Sequence, residues 1–264
     1  MLSLSISITP EAIGSIESDL AKTLYEVNPL HRVEALARGL GFSTYASMLA
    51  ASKSSPGSTA VFDWKAADEC LKTHGFTVPA EPFFVAIGRV AIQQLLVREA
   101  QLTTDGMGLN PLHRPLTGKR EDRKEYAARF QRCREEFKGD HEVKQFLRAL
   151  AFVTNIRRVE TINRTLSSYR LKHNAERFSS TYPDGTRLGP DYVSNGALIA
   201  AAIHAGFQYW KHPGTTEVAF NMSRESIGTL YVETQEAEKR DKERRLAAGP
   251  GLASSKEHQP SAPL

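Results

Sequence analysis

The sequence predicts a mainly α-helical, bundle-like fold carrying a small β-hairpin, and three observations predict it. Apolar residues recur at helical spacing along most of the chain. Helix-capping residues stand ahead of those runs, Thr9-Pro10 and Ser194-Asn195 among them. The clearest pair of strand-like runs, 208–211 and 217–221, flanks His212-Pro213-Gly214, a turn sequence. With 264 residues the chain can bury a substantial core, and length leaves open one large domain or two subdomains.

The alternation of Leu2, Leu4, Ile6 and Ile8 reads as a short strand. Thr9-Pro10-Glu11 then opens a helix to about residue 26, and Pro29 opens another whose apolar side Leu30, Val33, Leu36, Ala37 and Leu40 stops at Gly41. Ser43 is expected to cap a third helix over 45–51, giving a helix-turn-helix geometry that serves DNA binding and ordinary packing alike. The small, polar stretch 52–58 around Pro56-Gly57 reads as a joint. Asp63 begins a helix ending at Gly75, and a longer apolar helix over 81–102 is expected at the centre of the core. Residues 103–117 are the longest irregular stretch before the tail. Charged helices over 119–138 and 141–156 follow, then a helix over 168–178, a turn at Pro183-Asp184-Gly185, and a helix over 195–205 capped by Ser194. Ser223 starts the last helix, nearly all charged over 236–245. The order suggests an N-terminal helical module over 1–52, a central helical region over 60–156 and a helix-hairpin-helix region over 157–247. Residues 248–264, rich in Gly, Pro and Ser, are expected to be disordered.

Apolar residues at 41% and charged residues at 24% are the proportions of a soluble globular chain. A net charge of +4 and a pI near 9.0 permit an anionic partner without demanding one. Cys70 and Cys133 lie far apart in sequence, so both are expected as reduced, largely buried thiols in a cytoplasmic protein. The first ten residues lack the basic and continuous apolar parts of a signal peptide, and no run has the length of a membrane span.

The usual catalytic signatures are missing. A phosphate loop ending at Gly118-Lys119 fails, because His113 stands where its first glycine belongs and Arg120 where Ser or Thr would bind magnesium. No paired Cys-x-x-Cys, His-Glu-x-x-His, Gly-x-Ser-x-Gly or dinucleotide glycine fingerprint occurs. The eight histidines lack ligand spacing, so neither a metal site nor a cofactor is expected. The pentapeptide Asn-Pro-Leu-His-Arg occurs at 28–32 and 110–114, but the similarity does not extend and reads as coincidence.

One segment is locally basic. Arg157, Arg158, Arg164, Arg170, Lys172 and Arg177 face only Glu160 and Glu176, and Tyr169 and His173 are interleaved with them. Guanidinium donors suit phosphate oxygens and a tyrosine can stack on a base, so these eight residues are the candidate nucleic-acid contacts. The structural alternative is a solvated helix face whose cations pair with carboxylates of neighbouring helices. Ser194-Asn195-Gly196 reads as a helix cap, with an anion at the helix N-terminus as the functional alternative.

Two stretches carry resemblances. Residues 30–37 (Leu-His-Arg-Val-Glu-Ala-Leu-Ala) with 41–46 (Gly-Phe-Ser-Thr-Tyr-Ala) resemble a small helical module found beside glyoxalase-superfamily proteins and in plasmid proteins. Ile162-Asn163-Arg164, Ser167-Ser168-Tyr169, Leu171-Lys172-His173 and Ala175-Glu176, followed by Tyr192-Val193-Ser194-Asn195-Gly196-Ala197, resemble a family of short uncharacterised proteins carried by conjugative plasmids and phages. That resemblance spans about residues 161–207 and implies a mobile-element setting, with no activity or site attached. The functional expectation is a non-enzymatic accessory protein that binds nucleic acid or a nucleic-acid-processing partner. Two alternatives stay open: a protein-binding module acting on a host factor, and a hydrolase of a phosphate-containing substrate using His173 and Ser194.

Overall fold

In the computed structural model, which describes residues 2–54, 57–110 and 121–247, strand β1 (Ser5–Ser7) leads into α1 (Pro10–Thr23), with the Thr9 hydroxyl accepting the Ala12 N–H. The helix stops short of residue 26 because the Arg32 guanidinium takes the Leu24 and Val27 carbonyls at 2.8 and 2.9 Å, fixing a turn. Helix α2 (Pro29–Gly39) is capped by Asn28 and ends before Gly41, whose φ of +86° suits glycine. Helix α3 (Tyr45–Ser54) follows, and its cap is Thr44 in place of Ser43, since the Thr44 hydroxyl accepts the Ser47 N–H.

A strand unforeseen in the sequence, β2 (Thr59–Val61), pairs antiparallel with β1, Ile6 opposite Ala60. On its outer edge β1 is tied to distant elements: Gln94 bonds both the N–H and the carbonyl of Ser7, and the Ser5 N–H donates to Nε2 of His204. Asp63 caps α4 (Trp64–Thr73) as expected. Helix α5 (Glu81–Arg98) is the apolar centre, Phe83, Phe84 and Ile87 being almost fully buried, each such residue contributing about 1.5–3 kcal/mol of transfer free energy.

Helix α5 ends earlier than expected because the next residues make a tight hairpin, β3 (Leu102–Thr103) with β4 (Gly106–Met107). Arg134 holds that junction by donating to the carbonyls of Leu96, Glu99, Ala100 and Leu102. It projects from α6 (Arg123–Glu136), whose start at 123 instead of 119 follows from a capping box of Asp122 and Glu125. The rejected phosphate-loop match, the second pentapeptide copy beyond Asn110 and the end of the irregular stretch lie outside the described residues, as does the tail over 248–264.

Helix α7 (Asp140–Val153) packs closely on α5, for a Cβ at Gly88 would meet Val143 at 3.0 Å. Helix α8 (Ser168–Arg177) is followed by another unforeseen pair, β5 (Ser180–Thr181) with β6 (Arg187–Gly189), closed by the turn at Asp184-Gly185. Ser194 caps α9 (Asn195–His204), accepting the Ala197 N–H at 3.1 Å. Strands β7 (Tyr209–Lys211) and β8 (Val218–Phe220) form the expected hairpin, and α10 (Arg224–Ala247) closes the described chain.

The chain is thus mainly α, 57% helical with ten helices among the described residues and four small antiparallel strand pairs. Helix α7 packs against both α5 and α9, and α9 packs against α8. The buried apolar cluster draws on residues from Leu2 to Leu230. Both cysteines are free, but they are only half-buried, which corrects the expectation of deep burial; Cys133 lies on α6, a helix with no fully buried residue. No helix among the described residues is long and apolar enough to cross a membrane.

Candidate nucleic-acid interface

The basic segment is held in place by irregular pairing with the outer edge of β8. Arg158 bridges Met222, Ser167 bridges Ala219, the Asn163 N–H donates to the Phe220 carbonyl, and the Ser223 N–H donates to the Arg157 carbonyl. The buried Ser168 hydroxyl accepts the Val218 N–H at 3.1 Å, fixing the start of α8 against the same strand. These main-chain bonds leave the side chains free to take different surroundings.

Two cations of the segment are spent on the fold. Arg157 reaches Glu225 at the head of α10, at 2.9 Å. Arg158 donates to the Gly206 carbonyl beyond the C-terminus of α9, where the helix dipole favours positive charge. Arg164 is exposed, and its guanidinium carbon lies 4.6 Å from the centre of the Trp210 ring, a cation over an aromatic face.

On α8 the residues separate by helical spacing. Arg170, His173 and Arg177, at i, i+3 and i+7, form one exposed stripe with Tyr169 at its edge, and the Tyr169 ring meets His173 edge to face at 4.9 Å. Among the described residues neither Arg170 nor Arg177 has a carboxylate partner. Lys172 points elsewhere. It is only 6% exposed, it donates to Glu176 at 2.8 Å and to the Val193 carbonyl at 3.4 Å, and the Tyr169 and Tyr192 rings lie 5.2 and 5.1 Å from its ammonium. In sequence Lys172 belongs with the exposed cations, but the fold seats it inside a cleft. Glu176 also receives His173 Nδ1 at 2.8 Å. Burial pushes its carboxyl pKa up, but the hydrogen bonds and charges of Lys172 and His173 outweigh that and hold it below the ordinary value.

The cleft has a volume of about 680 Å³ and lies between Tyr169 and Tyr192, with the β3–β4 hairpin and the β7–β8 turn as its other walls. The head of α9 is pressed against the first hairpin. A Cβ at Gly196 would strike the Thr103 carbonyl and come within 2.7 Å of that of Thr104, so only glycine fits there. Gly106, with φ of +130°, similarly faces the Thr216 carbonyl. Asn195 bridges the two walls, its Nδ2 donating to the carbonyls of Asp105 at 3.0 Å and Thr216 at 3.3 Å. Its Oδ1 is buried and finds no donor among the described residues.

Most donors at the start of α9 are consumed: Ser194 N–H by Gln145, Gly196 N–H by the Thr104 carbonyl, and Ala197 N–H by the Ser194 hydroxyl. The capping role of Ser194 is therefore met in full, and few N–H groups are left for an anion. No hydrogen bond joins His173 to Ser194, and no group of three His, Cys, Asp or Glu among the described residues is placed to hold a metal ion.

The sequence marks neither Tyr192 nor Trp210 as a contact residue, and Asn195 only as part of a helix cap. Their place follows from long-range packing, and the local signal was only a tyrosine and an asparagine flanking a helix cap. Compared with protein-family models, curated proteins and solved structures, the chain finds no match.

Proposed function

We propose that this chain is a non-enzymatic accessory protein of a mobile element that binds nucleic acid through the exposed face of α8. The observation carrying the reading is that Arg170 and Arg177 are solvent-facing, share one stripe and lack carboxylate partners among the described residues, while Arg157 and Lys172 are already paired. A guanidinium left unpaired offers a rigid fork of donors that matches phosphate oxygens. Arg164 on Trp210 adds an exposed cation, and Tyr169 an aromatic face that tolerates any base. These contacts read the backbone, so weak binding without strong sequence preference is expected. The mobile-element setting enters through the resemblance over residues 161–207. Against hydrolysis stands the geometry of His173 and Ser194, which share no hydrogen bond and so form no nucleophile-base pair. Fluorescence anisotropy with labelled DNA and RNA, duplex and single-stranded, tests the proposal: binding at low salt is expected, and its absence for all four probes refutes it.

A further inference from the structure

The cleft beside the stripe is unsuited to a phosphate. Of the groups that line it, Asp105 and Glu217 are carboxylates and Lys172, the cation, is already opposed by Glu176. Its walls are two tyrosines, Tyr169 and Tyr192, 50% and 54% exposed, and its volume falls within the range of small-molecule sites, roughly 300–1,000 Å³. Two acceptors in its lining lack donors among the described residues. The Asn195 Oδ1 is buried and unpartnered on a residue only 8% exposed, and Glu217 makes no side-chain bond to another described residue. An ammonium has three donors, and Lys172 uses two, on Glu176 and the Val193 carbonyl, leaving one for a ligand.

A ligand that answers this arrangement is planar, aromatic and uncharged, with adjacent hydrogen-bond donors and a carbonyl on one edge. Among the common nucleobases, guanine has that edge: its ring N–H and exocyclic amino group suit a carboxylate or amide oxygen, and its O6 accepts from an ammonium. We propose that the cleft receives one unpaired guanine base, stacked on tyrosine, with its donor edge toward the acceptors around Asn195 and its O6 toward Lys172. The phosphate of such a nucleotide stays outside, on the side of Arg170 and Arg177. Delivery of the base by a strand rests on the nucleic-acid reading above; a free guanine nucleotide carries the same chemistry.

The test uses three kinds of probe: free nucleotides, GMP with AMP, CMP and UMP beside it; a thymine strand with one central guanine and the same strand with an abasic site there; and free arginine. Binding is measured on wild type, Tyr192→Ala, Tyr192→Phe and the Arg170→Gln/Arg177→Gln double variant. Tyr192 is exposed, so its truncation leaves the fold standing. Wild type is expected to prefer the guanine strand to the abasic one at least about fivefold, the lower end of what one stacked base supplies. Tyr192→Ala erases that preference and Tyr192→Phe keeps it, while the double arginine variant weakens both strands alike. Equal affinity of wild type for guanine and abasic strands, together with no preference for GMP over the other nucleotides, overturns the guanine site and leaves strand binding in place. Preferential GMP binding lost in Tyr192→Ala, without strand binding, upholds the cleft and sinks the strand reading. Capture of free arginine in place of GMP overturns the proposal in favour of a cationic ligand.

Discussion

Acidification from pH 6.5 to pH 4 is expected to cost this protein on the order of 3 kcal/mol of stability through one residue, His204. Its imidazole sits at the end of α9, accepting the Ser5 N–H of β1 at 3.3 Å and meeting the Phe146 ring edge to face at 5.5 Å. Burial, with a smaller contribution from the charge of Arg98, pushes its pKa down from 6.5 to about 4. The neutral ring is thus favoured in the fold, whereas the unfolded chain takes up a proton below about pH 6.5. The stabilisation is complete above 6.5 and is lost as pH falls toward the folded value. At about 1.4 kcal/mol for each pH unit of that gap, the loss is about 3 kcal/mol. Urea denaturation at half-unit steps, on wild type and His204→Gln, measures it; glutamine can still accept the Ser5 N–H but does not titrate. The carboxylates with lowered pKa, Glu11, Glu121, Glu176 and Asp184, act in the same direction only below their ordinary values, near 4.5 for the glutamates and 3.8 for the aspartate. Parallel stability profiles for the two proteins between pH 6.5 and 4.5 would refute the reasoning.

Gly196→Ala places a methyl against the Thr103 and Thr104 carbonyls, which cannot turn aside as a side chain can, so a loss of roughly 3 kcal/mol and a Tm lower by roughly 5–10 °C are expected in calorimetry. Lys172→Met leaves the partly buried Glu176 carboxylate with His173 alone; a loss of about 2 kcal/mol is expected, partly recovered by adding Glu176→Gln, as a double-mutant cycle reads. Burial raises both thiol pKa values, so Cys70 and Cys133 are expected to react slowly with iodoacetamide at pH 7 in native protein and fast in denaturant. A disulfide in protein purified without oxidant contradicts that expectation.

The helix starts at Thr9, Asp63 and Ser194 are legible in the sequence, whereas it reads the equally local starts of α3, capped by Thr44, and α6, capped by Asp122, too early. Thr9, Asp63 and Ser194 each hold an N–H two or three residues ahead, and that bond depends on few atoms beyond the tetrapeptide. Strands β2 to β6 were not legible: β2 exists only through pairing with a strand more than fifty residues away, and β3 to β6 are two or three residues long without the longer alternation that Leu2 to Ile8 gives β1. The stripe of Arg170, His173 and Arg177 was visible as a cluster of cations. The separate fate of Lys172 was not, since it is set by Tyr192 and Val193, which the β5–β6 turn and the loop after it bring back over α8 from beyond the helix. The cleft depends likewise on close backbone approaches at Gly106 and Gly196, glycines whose neighbours are distant in sequence.

The salt dependence of nucleic-acid affinity bears most directly on the claim that α8 contacts phosphates. Each phosphate neutralised releases condensed counterion, so log K falls with log salt by about 0.9 per contact on duplex DNA. Arg170 and Arg177 are exposed and lack carboxylate partners among the described residues, so changing both to glutamine is expected to alter stability by less than about 1 kcal/mol. Anisotropy with a labelled duplex over a salt series is expected to give a steep line for wild type and a weaker, flatter line for the double variant, the slope smaller by about 1.8. Superimposable lines for the two proteins, or no binding by wild type at the lowest salt, would contradict the account.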